Sequence, residues 1–463
     1  MNTQFDPKIW PQTTEVKDGV INIGGCALPQ IAKHFGTPVF VLDEADFKAR
    51  AKIWQESLQK NFSSNAGIAY YAAKAFISQE IARWVEAAGL GLDVCTGGEL
   101  AVAMAAKFPA ARMELHGNNK SEQEIAAAID YRVGTIVIDS LQEIERVARI
   151  AHQKGVVQNV LLRLTPGVEA HTHEAISTAH EDVKFGFSIA SGAAWDAVLA
   201  ISKHESLKLN GFHAHIGSQI FVADAFITSA GRLIEMLARY KKEFGLELPE
   251  LDLGGGYGIA YIASDDPIPA DLALSQLAAA VKAECAKHDL AIPKISIEPG
   301  RAIVGPAMVT VYEVGTTKEV KLETGATRWY VSVDGGMSDN IRTALYDAQY
   351  SVALANRESR SEKRASRLVG KHCETGDIVI KDVALPADIA PGDLLATPAT
   401  GAYGRSMASN YNHMTRPPVV AVINGTARII IRRETHQDLL ALEVDESPIS
   451  LSVSVKATSG DQA

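Results

Sequence analysis

Residues 67–96 read GIAYYAAKAFISQEIARWVEAAGLGLDVCT. An apolar, strand-like run carries Lys74 at its end. Ser78 then opens a stretch with apolar residues at helical spacing, and GLDVCT begins a second strand. Strand, capped helix and strand make one β/α unit. The same alternation continues through MELHG, TIVIDS, VLLRLTP, KLNGFHAHIG, ELDLGGG and KISIEPG, separated by helical patterns such as SLQEIERVARIAHQKG. Eight such units over about 235 residues predict a (β/α)8 TIM-like barrel. A doubly wound sheet is the other architecture this alternation allows.

Past EPGRAIVGPA the texture changes. MVTVYEVGTTKEV, RWYVSVDGG, DIVIKDVALP and PPVVAVINGTARIIIRRE read as short strands joined by turns, which predicts a second, mostly β domain of sandwich or barrel-like form. GTPVFVLD, near the N-terminus, reads as one more strand for that sheet. The expected division is a (β/α)8 barrel over 46–308, a β domain built from 1–45 and 309–445, and a polar tail over 446–463 that frays. After the fifth strand, AHTHEAISTAHEDVKFG is a long insertion, so a functional lid is expected around His171 to Lys184.

The chain has 463 residues, 47% hydrophobic and 22% charged, with a formal charge of −10. That balance argues against nucleic acid or an anionic membrane as the main partner, while leaving room for a locally basic pocket. The N-terminus lacks a basic segment followed by an apolar run, and no apolar run reaches spanning length. Cys26, Cys95, Cys285 and Cys373 are widely spaced, which disfavours a disulfide framework or a structural zinc. The expected setting is the cytoplasm.

Active-site groups of a barrel stand at the C-terminal ends of its strands. Read in order, those ends carry Lys74, Asp93, His116, Asp139, Arg163, His215, the run Gly254-Gly255-Gly256, and Glu298 with Arg301. Lys74 fits either a lysine that snorkels to solvent or an amine nucleophile, and burial predicts a lowered pKa for it. LDLGGGYGIAY lets backbone N–H groups approach a phosphate with no Cβ in the way, but it has neither dinucleotide spacing nor a Walker lysine. A plain turn is the alternative. HAHIGSQ places His213 and His215 at a spacing of two, and a metal pair there, or in the HTH of 171–173, would suit a metal-dependent hydrolase. Such enzymes carry the H-x-H on the first strand and an aspartate on the last, so no metal is expected, and a stacking imidazole fits better. Glu298 either pairs with Arg301 or faces a ring nitrogen. Phosphate-cradling glycines, an amine, a flat stacking group and an acid together describe pyridoxal 5'-phosphate.

YYAAKAF, GLDVCTGGEL, HGNNK, AHTHEAISTAHEDVKFGFS, HAHIGSQ, LDLGGGYGIAY, EPGRAIVGPA, DGGMSDNIRTALYDA, CETGDI and GAYGRSMASNYN resemble the meso-diaminopimelate decarboxylases of the fold-type III pyridoxal-phosphate enzymes, from about residue 25 to 435. The resemblance implies that Lys74 carries the cofactor, His215 stacks on its ring and Glu298 pairs with its nitrogen. Ser218, Gly255, Gly256, Gly300, Arg301 and Tyr403 are implied at the phosphate or rim. Cys373 is implied as the proton donor, contributed across a homodimer interface, although an inert apolar thiol is the commoner fate of a single cysteine. The substrate has an amino acid head at each end. Arg301 and Arg342 suit its distal carboxylate, Glu374 its distal ammonium, and Tyr346 and Tyr403 supply hydroxyls; the alternative for Arg342 and Glu374 is a pair of solvated surface charges. The implied reaction is decarboxylation of meso-2,6-diaminopimelate to L-lysine and CO2 through an external aldimine and a quinonoid, the last step of lysine biosynthesis. An ornithine- or arginine-type polyamine-pathway decarboxylase of the same fold is the alternative. An amino acid racemase fits the long chain less well, and a non-catalytic homologue would be expected to lose the lysine or the glycines, which are present.

Overall fold

The computed structural model describes residues 5–168 and 184–446. Eight parallel strands form one ring: β1 (Ala66–Ala72), β2 (Gly91–Val94), β3 (Met113–Leu115), β4 (Thr135–Ile138), β5 (Gln158–Thr165), β6 (Leu207–His213), β7 (Glu250–Asp252) and β8 (Lys294–Ile297). They pair in chain order, and β8 returns to β1, so the sheet closes without an edge. All eight strands predicted from the sequence are present, and closure excludes the doubly wound alternative. Every residue of β2, β3 and β4 is buried, as expected where helices cover the outside and side chains fill the inside.

The turns after β1 to β4 are short because helices begin almost at once. Ser78, Thr96, Ser121 and Ser140 each accept a backbone N–H of the helix they precede. Those tight caps keep the strand-end side chains pointing into one mouth. After β8 the chain makes only a single helical turn, Arg301–Val304, and leaves the barrel. The helix Glu44–Phe62, which precedes β1, packs on β1 and on the helix Ala270–Lys287 and so covers the gap. Among the described residues no helix is long and apolar enough to cross a membrane.

A second sheet is mostly antiparallel. Its long strand β9 (Met308–Lys321) pairs with β10 (Thr327–Val333) and with the wholly buried N-terminal strand Val39–Asp43. β11 (Lys363–Val369) and β12 (Ile378–Pro386) extend one side, and β13 (Leu394–Thr397) pairs with β9. β14 (Val419–Ile423) lies parallel to the N-terminal strand and carries β15 (Thr426–Ile431) on its far side. A loop of this sheet reaches the barrel mouth. Tyr403 N–H and Ser406 Oγ both donate to Ala75 O, at 2.9 Å each. The residue after Lys74 is therefore clamped from above by the second sheet.

Candidate active site

Lys74 sits in the single turn Ala73–Ala75 directly after β1, and its Nζ lies 3.7 Å from Asp93 Oδ2 on β2. Its side chain keeps 39% of its surface open, while Asp93 is buried. The sequence predicted an amine with a lowered pKa, and here the structure differs. Burial does pull the Lys74 ammonium down, but Asp93, Glu298, Tyr403 and Cys95 together outweigh it and hold the group above the ordinary lysine value. In the unliganded chain Lys74 is a cation in a carboxylate-rich mouth.

Glu298 follows β8 and is buried with His213 and His116. Its Oε1 lies 2.9 Å from His213 Nε2 and 3.4 Å from His116 Nε2. Burial pushes the carboxyl up, yet His213, His116 and Lys74 outweigh burial and hold it well below the usual carboxylate range. The ion pair with Arg301 that the sequence left open does not form. β6 ends at His213, so His215 stands just beyond the strand and accepts a hydrogen bond on Nδ1 from Gly255 N–H at 3.2 Å.

The three glycines after β7 are required by close packing. A Cβ on Gly255 would lie 2.3 Å from Glu298 O, and one on Gly256, where φ is +114°, would lie 2.4 Å from Gly217 O. These glycines let the ends of β6, β7 and β8 converge with their backbone facing the mouth. A Cβ on Gly300 would lie 2.8 Å from Ala72 Cβ, which brings the turn after β8 against β1. Gly255→Ala is expected to destabilise the protein by about 1–3 kcal/mol by forcing Glu298 aside; chemical denaturation measures it.

Arg301 joins the barrel loops. Its Nη1 donates to Tyr261 OH at 2.6 Å, its Nη2 to Ser218 Oγ at 2.8 Å, and its guanidinium lies 4.6 Å from the Tyr403 ring centroid. Arg342, on the short helix Arg342–Tyr346, is buried rather than solvated. It donates to Tyr350 OH at 2.6 Å and lies 4.5 Å from the Tyr261 ring centroid, so Tyr261 bridges the two arginines. The Nε of each arginine is buried and unpaired. Tyr346 lies at the end of the same helix, half-buried.

Cys373 and Glu374 are exposed on a loop packed against residues 336–338 and 412. His372 contacts Ser338 Oγ at 2.8 Å, and Cys373 N–H donates to Asn412 Oδ1 at 3.2 Å. Glu374 Oε1 accepts from Gly376 N–H. Within one chain neither side chain makes a hydrogen bond or ion pair with the mouth residues described above. The structure thus gathers Lys74, His215, Ser218, Gly255, Gly256, Glu298, Gly300, Arg301, Arg342 and Tyr403 around one mouth, and leaves Cys373 and Glu374 at the surface. The expected lid and its HTH fall almost entirely on residues 169–183, outside the described residues, as does the tail beyond 446.

Sequence reasoning missed Tyr261 and Tyr350, which carry no local signal. It also missed Glu114 and Asp252. Their signal was a carboxylate inside an otherwise apolar parallel strand, where an ionisable group is costly without a partner.

Residues 44–305 match the family described as pyridoxal-dependent decarboxylase, pyridoxal binding domain. The diaminopimelate decarboxylase of Mycobacterium tuberculosis is 54% identical over 443 residues, spanning 95% of this chain and 98% of that protein. A crystal structure of diaminopimelate decarboxylase from M. jannaschii in complex with L-lysine matches with a TM-score of 0.85 at 31% identity, covering 94% of this chain and 98% of that one. Lysine/ornithine decarboxylase from Vibrio vulnificus shares the fold, with a TM-score of 0.69 at 22% identity over 85% of this chain and 97% of its own.

Proposed function

Because the chain belongs to the pyridoxal-dependent decarboxylases, and within them to the diaminopimelate decarboxylases, we infer that it converts meso-2,6-diaminopimelate to L-lysine and CO2 with pyridoxal 5'-phosphate. The observation that carries this reading is the Lys74 amine at the end of β1, beside Asp93 and level with a glycine cradle on the converging strand ends. The residues fit the cofactor. His215 would stack on one face of its flat ring, and the Glu298 carboxylate would hold the ring nitrogen. The backbone of 255–256 and Gly300 would hold its phosphate, with Ser218, Arg301 and Tyr403 at the rim. Bound there, the cofactor supplies the sink for the electron pair left behind when CO2 departs.

The chain's own groups do the rest. Lys74 must lose a proton before its nitrogen can act as a nucleophile. Asp93, 3.7 Å away, is first among the groups that keep that proton on the nitrogen in the absence of the cofactor. Arg301 and Arg342, each with a free Nε, are assigned the distal carboxylate of the substrate, and Tyr346 and Tyr403 the flanking hydroxyl contacts. Holding the distal centre would fix the orientation of the reacting carbon in the mouth. Cys373 is assigned delivery of the proton to that carbon, and Glu374 the distal ammonium.

The exposure of Cys373 and Glu374 supports a homodimer in which each mouth is completed by the other subunit, and Leu345 and Tyr411 are also left exposed in this sheet domain. Mixed dimers of Lys74→Ala and Cys373→Ala subunits are expected to regain up to about one quarter of wild-type activity, from the one intact mouth formed in half of the dimers. No regain on mixing would place Cys373 outside the shared mouth. We assign the enzyme to the cytoplasm, in keeping with its four unpaired thiols.

Substrate choice is tested by measuring CO2 release from meso-diaminopimelate, ornithine and arginine side by side. The buried arginine pair predicts a kcat/KM at least about 100-fold higher for diaminopimelate, because substrates without a distal carboxylate leave the buried Nε of each arginine unpaired. Equal or faster release from ornithine would overturn the substrate assignment.

A further inference from the structure

The mechanism uses Glu298 but none of the groups packed beneath it. Glu114 on β3 and Asp252 on β7 each place a carboxylate oxygen within 4.8 Å of a Glu298 oxygen, and all three residues are buried. Three carboxyls this close cannot all ionise in a core. Burial, reinforced by the neighbouring carboxylates, pushes Glu114 and Asp252 well above the usual range, while Glu298 is held well below it. The cluster therefore keeps its negative charge on one member. The group that distinguishes that member is His213, which is fully buried with its Nε2 2.9 Å from Glu298 Oε1. His116 stands edge-on to His213, with ring centroids 4.9 Å apart, and its Nε2 lies 3.4 Å from both Glu298 and Glu114.

We propose that His213 is a positioning residue for the decarboxylation: its Nε2, set 2.9 Å from Glu298 Oε1, keeps the negative charge of the Glu114–Asp252–Glu298 cluster on the carboxylate that would face the cofactor nitrogen. The proposal rests on the role given to Glu298 above. Burial pushes the His213 ring below its ordinary pKa against the pull of Glu298, and its Nε2 stands 2.9 Å from Oε1 although the ring is not aligned for a hydrogen bond. Glu298 is also faced by Lys74 after β1, Asp93 on β2, His116 after β3, Arg163 on β5 and His215 after β6. All of these stay in place when His213 alone is changed.

The side-chain nitrogen of glutamine reproduces the position of a histidine Nε2, and that of asparagine the position of Nδ1. The test compares His213→Ala, His213→Gln, His213→Asn, Glu298→Gln and the double variant His213→Ala/Glu298→Gln as holoenzymes. It records kcat, KM, the thermal midpoint and the pH titration of the bound cofactor's visible absorbance. His213→Ala is expected to lower kcat about 10- to 100-fold with KM nearly unchanged, and to shift the absorbance titration. His213→Gln restores most of kcat and the wild-type titration, and His213→Asn does not. The double variant is no slower than Glu298→Gln alone, because both changes act through one carboxylate.

Equal behaviour of the Gln and Asn variants, an unshifted titration, or a double variant in which the two losses multiply would each overturn the proposal. Should His213→Ala fail to fold, the Gln and Asn pair decides. If Glu298→Gln itself leaves kcat and the titration untouched, it is the role of Glu298 that fails. If Glu298→Gln is damaging and the His213 variants are silent, the role of Glu298 stands and only His213 is wrongly assigned.

Discussion

Lys74→Ala is expected to abolish the visible absorbance of the bound cofactor and to lower turnover by at least about 1,000-fold, because no other lysine among the described mouth residues can replace the nucleophile. Spectra of the purified variant, followed by CO2 release, check both. The same change acts on the unliganded protein through charge. The Lys74 pKa is raised in the fold, so its contribution to stability is fully present below the unfolded lysine pKa of about 10.4 and is lost only as pH rises through the higher folded value. Removing the ammonium leaves Asp93 and Glu298 without their shared cation. The unliganded variant should then be less stable at neutral pH by about 1 kcal/mol, a modest figure because the side chain is more than one-third exposed and solvent screens it. A variant that keeps both the absorbance and the rate would remove the basis of the functional assignment.

Glu298→Gln is the second large effect. The amide keeps the shape of the side chain and removes the charge that would hold the cofactor nitrogen protonated. A fall in kcat of about 100- to 1,000-fold is expected, with a smaller change in KM. Two further consequences separate loss of charge from loss of packing. Glu298 is one of the groups that raise the Lys74 pKa, so in the variant the ammonium should titrate at lower pH. Glu298 itself has a depressed pKa, so its contribution to stability is present above the ordinary glutamate value and is lost as pH falls through the folded value. The stability gap between wild type and variant should therefore be widest near neutrality and close toward acid pH. Denaturant titrations at several pH values measure it. A gap that does not change with pH would mean that packing, not charge, is what Glu298 contributes.

What the sequence determined on its own was the local content of the barrel and where its chemistry lies. Strand and helix periods, serine and threonine caps, and polar residues at successive strand ends are readable within a few positions of one another. These signals predict all eight strands and bring Lys74, His215, Glu298 and Arg301 onto one rim. The tertiary structure alone decided which partner each of those groups takes. Arg301 bonds Ser218 and Tyr261, 83 and 40 residues away, rather than its near neighbour Glu298. Glu298 meets His213 and His116 from the ends of two other strands. The charge state of Lys74 came out opposite to the sequence expectation for the same reason. Burial is visible as an apolar run, but the sum of carboxylate fields reaching one nitrogen from separate strands depends on distances that no spacing rule contains.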